Sequence, residues 1–186
     1  MFPTTIFLDR DGVINENRTD HVKSWDEFIF LPGALNAIAR LSEAGIRLFV
    51  ITNQAVINRG IVTRAQVDAV NNRMVEVIHQ FGGRIEAVVY CPHRPEERCP
   101  CRKPAPGLLF QLSEQYQVNL SATLLIGDAW PDIDAGRAAG CNVMLVLTGR
   151  GREQLAMASP EYENVPIAKD LFEASLLVLD LANGRR

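Results

Sequence analysis

The chain has 186 residues, 47% of them apolar and 22% charged, and a formal net charge of −3, which is enough material for about one domain with a full core. A slightly acidic chain with scattered arginines offers no basic field for nucleic acid, and no apolar run approaches the roughly 18 to 20 residues that span a bilayer. The first five residues lack a basic segment leading into an apolar one, so no secretory signal is read there, and a cytoplasmic protein with neither nucleic acid nor membrane as partner is expected.

In chain order, an apolar strand at 4–8 runs into Asp9-Arg10-Asp11-Gly12, and a polar loop follows at 15–32. A helix at 33–44 carries Leu35, Ile38 and Leu41 on one face, and a strand at 47–51 ends at Thr52. The next helix, 63–81, opens on Thr63 and Gln66 in capping-box spacing and repeats apolar residues at helical intervals. A strand at 85–90 leads into a Pro-rich loop at 91–106 and a helix at 107–117. A strand at 123–126 ends in Gly127-Asp128, before a helix at 131–139, a strand at 142–147 and a helix at 171–181. After about residue 149 no motif is read.

This alternation predicts an α/β fold, one domain over residues 1–186, with a central, mainly parallel sheet flanked by helices. Loops 15–32 and 91–106 both follow strands and fall at the carboxyl edge of the sheet, where open α/β folds bind ligands. Short loops with no inserted cap predict an open pocket and a monomer.

Asp9, Thr52 and Asp128 all stand at the ends of strands, so a parallel sheet brings them to one edge. Two carboxylates there repel unless a cation joins them, and hard oxygen ligands with few protein anchors suit Mg²⁺. Alone, Asp9-Arg10-Asp11-Gly12 also reads as a polar turn. A calcium loop counted from Asp9 would need Gly and Glu where the chain has Ile14 and Asp20.

Cys91, His93, Cys99 and Cys101 fall within eleven residues. Three thiolates and an imidazole suit a closed, tetrahedral, structural Zn²⁺ site, against the alternatives of a disulfide or unrelated surface thiols. Arg102 and Lys103 follow the last ligand directly, so zinc would stiffen the loop that presents them. Cys141, before an apolar strand, reads as a buried core thiol.

The stretches DRDG, ITNQ, CRKP and GDAWPD resemble, in order, the four motifs of the haloacid dehalogenase (HAD) superfamily of phosphotransferases. The resemblance runs from Ile6 to about Leu147 and implies a Rossmann-like fold with a zinc-binding loop and no large cap. It further implies a Mg²⁺-dependent phosphomonoesterase with Asp9 as nucleophile, Asp11 as general acid and base, Thr52 holding a phosphoryl oxygen, and Lys103 balancing charge. Asp9, Asp128 and the backbone carbonyl of Asp11 would hold Mg²⁺, with Asp132 one layer behind. Burial and nearby negative charge are expected to raise Asp11 and leave Asp9 ionised, while Arg10 is expected to point away from the pair.

Within the superfamily, a zinc loop of this kind resembles two branches: phosphatases that remove the 7-phosphate of D-glycero-D-manno-heptose 1,7-bisphosphate, in nucleotide-activated heptose biosynthesis, and histidinol-phosphate phosphatases. VKSWDEFIFLPGA and TNQAVINRGIVT resemble the heptose branch. On that resemblance Asn17, Arg18, Thr19, Asp20, Asn53, Gln54, Ala55 and Arg102 line a pocket for a small phosphorylated sugar. Ala55-Val56 and Ala129 depart from the branch, which has Ser-Gly and, in some members, Lys there. Histidinol phosphate remains the alternative substrate, and a zinc-stabilised module that binds phosphate without turnover remains the non-catalytic alternative.

Overall fold

Short runs of β-branched and aromatic residues form strands where they can be buried on both faces, and the computed structural model, which describes residues 3–182, assembles six of them. These are β1 (Thr5–Leu8), β2 (Arg47–Asn53), β3 (Ala87–Cys91), β4 (Thr123–Gly127), β5 (Asn142–Val146) and β6 (Ile167–Ala168). They pair in the order β3-β2-β1-β4-β5-β6, every pair parallel. Leu8 registers with Val50 on one side and Ile126 on the other, so the carboxyl ends of the three central strands lie along one edge. The strand order reverses beside β1, which opens the crevice at that edge.

The helices are α1 (Ala34–Glu43), α2 (Arg64–Gln80), α3 (Gly107–Tyr116), α4 (Trp130–Ala138), α5 (Gly151–Ala156) and α6 (Leu171–Ala182). Side chains alternate along each strand, and the two faces of β1 feed different cores. Ile6 and Leu8 join Leu48, Val50 and Ile126 against Ile38, Leu41, Met74, Ala174 and Val178 of α1, α2 and α6. Phe7 joins Phe49, Ile51 and Leu125 against Leu109, Leu112 and Ala135 of α3 and α4. The Thr63–Gln66 capping box forms as expected, with Thr63 Oγ1 accepting from the Gln66 amide at 3.2 Å and Gln66 Oε1 from the Thr63 amide at 2.8 Å.

Several boundaries differ from the sequence reading. β2 runs on to Asn53, because β3 continues to pair with it at Thr52↔Tyr90 and Asn53↔Cys91; Thr52 therefore lies within the strand. β3 begins at Ala87, where its pairing with Phe49 begins. α5 and β6 were not anticipated: six residues are too few to show a helical period, and the two residues of β6 are a strand only through their pairing with β5. Residues 15–32 are tied back to the core rather than free, with the Leu31 amide donating to the Ile14 carbonyl and Trp25, Phe28 and Phe30 packed ring against ring. Among the described residues no helix is long and apolar enough to cross a membrane.

Phe49 is fully buried, meets Phe7 and Tyr116 edge-on, and lies beneath the Arg47 guanidinium. Phe49→Ala should lower unfolding stability by about 3–5 kcal/mol, read from the urea midpoint at unchanged slope.

Candidate active site

β1 delivers Asp9 to the carboxyl edge of the sheet, where the Asp9 amide donates to the Ile126 carbonyl at 3.0 Å. β4 delivers Asp128, and the first turn of α4 delivers Asp132. One oxygen from each of these three carboxylates lies within 4.8 Å of the others. Lys103 is their buried counter-charge: its Nζ is 2.8 Å from Asp9 Oδ1 and 2.6 Å from Asp132 Oδ1, and it donates to the Ile51 carbonyl at 3.0 Å. Asp132 shares Lys103 with Asp9, and its Oδ2 also accepts the Ala129 amide at the start of α4.

Three carboxylates against one ammonium leave a surplus of negative charge in a buried site, even with the Arg150 guanidinium 3.8 Å from Asp128 Oδ1. Asp128 is fully buried; its Oδ2 accepts the Arg150 amide at 2.8 Å, while Oδ1 makes no hydrogen bond. A buried acceptor left unmatched costs free energy, and a divalent cation satisfies it. The floor is shaped for close approach. A Cβ on Gly12 or on Gly149, both at positive φ, would stand 2.2 Å from Asp128 Oδ2, so only glycine fits at either place. The carboxylate set, the unmatched oxygen and the glycine cradle fit a small hard cation.

Burial pushes the Asp9 carboxyl up to about 7 against the pull of Lys103, with Asp132 and Asp128 adding to the rise. Burial likewise raises Asp128 to about 6, reinforced by Asp132. Although burial disfavours its charge, Asp132 and Asp9 hold Lys103 above the ordinary lysine value.

Asp11 corrects two expectations. Burial raises its carboxyl, but the Arg10 charge and hydrogen bonds from Asn15, Arg10 and Gln54 outweigh it and leave Asp11 below its ordinary value. Arg10 does not point away: its Nη2 donates to Asp11 Oδ2 at 2.9 Å and Oδ1 at 3.1 Å. Strand alternation fails as a guide here because the chain has left β1 and is turning, with the amides of Val13, Ile14 and Asn15 all donating to the Arg10 carbonyl.

Thr52 is buried at the same edge, and Gln54 Nε2 joins its Oγ1 to Asp11 Oδ2, at 3.0 Å to each. Asn53 clasps the backbone of Lys103 in both directions. Above these groups lies a cavity of about 470 Å³ lined by Asp9, Asp11, Thr52, Lys103 and Asp132 together with Asn17, Arg18, Thr19, Asn53, Gln54 and Arg102. Two expected residues do not line it. Asp20 is turned outward into ion pairs with Arg18 and Lys23, and Ala55 is buried beneath the loop that follows β2. Arg10, His21, Val22, Pro131, Arg150 and Glu153 line it unforeseen. A signal for Arg150 exists in Thr148-Gly149-Arg150-Gly151, a Gly-rich turn after β5 at the same sheet edge, whose Thr148 hydroxyl donates to the Gly12 carbonyl at 2.6 Å.

Beside the cavity the Cys/His loop gathers. Cys91, Cys99 and Cys101 form a triangle with Sγ separations of 3.4, 3.4 and 3.2 Å, and His93 Nδ1 lies 3.4 Å from Cys91 and 3.3 Å from Cys101. The thiols are free, far apart compared with the ~2.05 Å of a disulfide and a few tenths of an ångström inside the ~3.8 Å edge of a tetrahedral Zn–thiolate site. The four atoms can hold a metal ion. Burial pushes the Cys91 and Cys101 thiols above their ordinary value, while hydrogen bonds from Cys101 and Cys91 outweigh burial at Cys99 and leave it below. Arg102 Nη1 donates to the His93 carbonyl at 3.1 Å, tying this loop to the cavity wall. Cys141 lies apart, in the core beneath α4.

Comparison with known proteins places this geometry. Residues 100–174 match a family model described as HAD-hydrolase-like. The chain is 44% identical over 161 residues to a D-glycero-beta-D-manno-heptose-1,7-bisphosphate 7-phosphatase of Pseudomonas aeruginosa, covering 87% of this chain and 90% of the relative. A protein of the same description from Neisseria meningitidis is 37% identical over 175 residues, 94% of each chain. The crystal structure of D,D-heptose 1,7-bisphosphate phosphatase from Bordetella bronchiseptica, complexed with magnesium and phosphate, superposes with a TM-score of 0.90 at 39% identity, covering 95% of this chain and 98% of that one.

The raised carboxylates set a pH dependence. Asp9 and Asp128 in the folded chain lie above their ordinary 3.8, so between about pH 4 and pH 7 the cation-free folded state holds protons that the unfolded state has released. Stability therefore falls as pH rises through that window. A divalent cation favours the ionised carboxylates and offsets the loss. After chelator treatment, added Mg²⁺ should raise the thermal midpoint more at about pH 8 than at about pH 5; equal shifts at both would count against the carboxylate cluster as its site.

Proposed function

The chain belongs to the heptose-1,7-bisphosphate 7-phosphatase family of HAD-like hydrolases, and from that premise we propose that it removes the 7-phosphate of D-glycero-D-manno-heptose 1,7-bisphosphate through an aspartyl-phosphate on Asp9. The observation that carries the reading is the buried Lys103–Asp9 pair at 2.8 Å, set beside Asp128 and Asp132 at the mouth of a cavity large enough for a sugar phosphate.

One Asp9 oxygen is held by Lys103. The other attacks phosphorus in line, forming the Oδ–P bond as the bond to the sugar oxygen breaks. Asp9, Asp128 and the backbone carbonyl of Asp11 would hold Mg²⁺, which would supply positive charge to offset that on the transferring group. Lys103 shares that task, and the Thr52 hydroxyl orients a phosphoryl oxygen. Asp11, which lines the cavity with its side chain 23% exposed, gives a proton to the departing sugar oxygen. It then takes one from the water that cleaves the aspartyl-phosphate. Because Arg10, Asn15 and Gln54 favour the ionised carboxylate, protonation of Asp11 comes with substrate: the phosphate dianion brings further negative charge beside Asp11. Arg102, a planar donor at the cavity wall, suits the sugar and phosphate oxygens farther out. We assign Zn²⁺ to Cys91, His93, Cys99 and Cys101, where it fixes the loop that carries Arg102 and Lys103.

Phosphate release with Mg²⁺ should be faster from heptose bisphosphate than from histidinol phosphate; the reverse order would transfer the chain to the other branch. Asp9→Asn should abolish turnover, and Asp11→Asn should lower it by about 10²- to 10⁴-fold while Mg²⁺ still stabilises the fold. Near-normal turnover in Asp11→Asn would remove Asp11 from the proton-transfer role. Metal analysis of the purified chain should find about one zinc, lost with a lower thermal midpoint in Cys99→Ser; zinc-free native protein with oxidised thiols would overturn that assignment.

A further inference from the structure

Arg10 stands between the two aspartates, is 1% exposed, and is the largest of the fully buried side chains, yet the reaction above gives it no task. A guanidinium taken out of water is costly unless acceptors meet it. Here they come from two directions: Nη1 donates to Asn71 Oδ1 at 2.9 Å, and Nη2 to both oxygens of Asp11. Nε makes no hydrogen bond, so among the described side chains Asn71 and Asp11 alone anchor the fork.

Asn71 is 61 positions away in sequence, buried in the middle of α2, and does not line the cavity. The guanidinium is planar and rigid, so holding Nη1 fixes the direction in which Nη2 is presented. The oxygens of Asp11 also accept from Asn15 Nδ2 at 2.9 Å and Gln54 Nε2 at 3.0 Å, both from loops beside the site. Asn71 differs in coming from the helix layer, on a 17-residue helix fixed by its capping box. The line Asn71, Arg10, Asp11 therefore couples a rigid element to a carboxylate whose aim matters to within a fraction of an ångström.

We infer that Asn71 is a positioning residue for the reaction, acting through Arg10 to aim the Asp11 carboxylate at the leaving oxygen of the substrate. The inference rests on Asp11 being the proton donor proposed above.

Two phosphate monoesters separate this role from a structural one. A sugar alkoxide is a poor leaving group and needs the proton, whereas p-nitrophenolate departs without it; kcat/KM reports the steps up to that departure. Asn71→Leu and Asn71→Ala should lower kcat/KM about tenfold on the sugar phosphate and less than about twofold on p-nitrophenyl phosphate, as the loss of aim at one proton-transfer group predicts. Asn71→Asp, which keeps an acceptor oxygen, should recover most of the loss. Arg10→Lys, which keeps the charge without the fork, should show the same ester selectivity and gives a second route should the Asn71 replacements fail to fold. Equal losses on both esters, or none, in whichever of these variants folds would overturn the inference. Asp11→Asn in parallel keeps the two ideas apart: no ester selectivity there defeats the proton-donor reading itself. Selectivity there without selectivity in the Asn71 and Arg10 variants defeats only the relay.

Discussion

Everything at the carboxyl edge of the sheet is arranged around an excess of buried negative charge. Asp9, Asp128 and Asp132 meet a single ammonium, Lys103, which is shared between Asp9 and Asp132 and seated on the Ile51 carbonyl. Removing one member of such a group strands the rest, at a cost of about 3–5 kcal/mol, so the cluster binds β1, β4, α4 and the loop before α3 into one unit. Its remaining deficit, expressed by the unmatched Asp128 oxygen, makes it a cation site. A bound divalent cation would remove that deficit and, with Lys103, present positive charge to a phosphate dianion.

Lys103 can take this position only because its loop is held at both ends. On one side Asn53 grips its backbone amide and carbonyl. On the other, the Cys/His cluster gathers residues 91–101, which contain one short 3₁₀ turn and no longer element. Gly107 adds a constraint: its amide donates to the Pro100 carbonyl, and a Cβ there would lie 2.3 Å from that oxygen. The loop is thus closed on itself immediately before α3 begins. Order that secondary structure would supply elsewhere comes here from side-chain and backbone contacts.

The two aspartates of the first strand end are set apart by their neighbours. Asp9 is dry and crowded by carboxylates, so its charge depends on cations. Asp11 is two residues on, part-exposed, and surrounded by donors from Arg10, Asn15 and Gln54. Gln54 also reaches Thr52, so the Thr52 hydroxyl and the Asp11 carboxylate belong to one hydrogen-bonded string. Chemically identical groups thus acquire opposite protonation preferences from their surroundings.

The alternation of short apolar runs with helical patterns was enough to predict a parallel α/β sheet, five of its six strands and five of its six helices, because burial on both faces leaves a continuous apolar signature. The grouping of Asp9, Asp11, Thr52, Lys103 and Asp128, and the compact Cys91–Cys101 set, were likewise legible, since each stands near the carboxyl end of a strand or in a loop that follows one. What only the tertiary structure decided lies in contacts between distant segments. β6 exists through its partner β5; Arg150 reaches the site because the turn after β5 closes over Gly12; and Asp20 faces outward to Arg18 and Lys23. The protonation preference of Asp11 was misjudged for the same reason. A pKa depends on which charges lie within a few ångströms, and neither the fold of Arg10 back onto Asp11 nor its anchor on Asn71 follows any local periodicity of the chain.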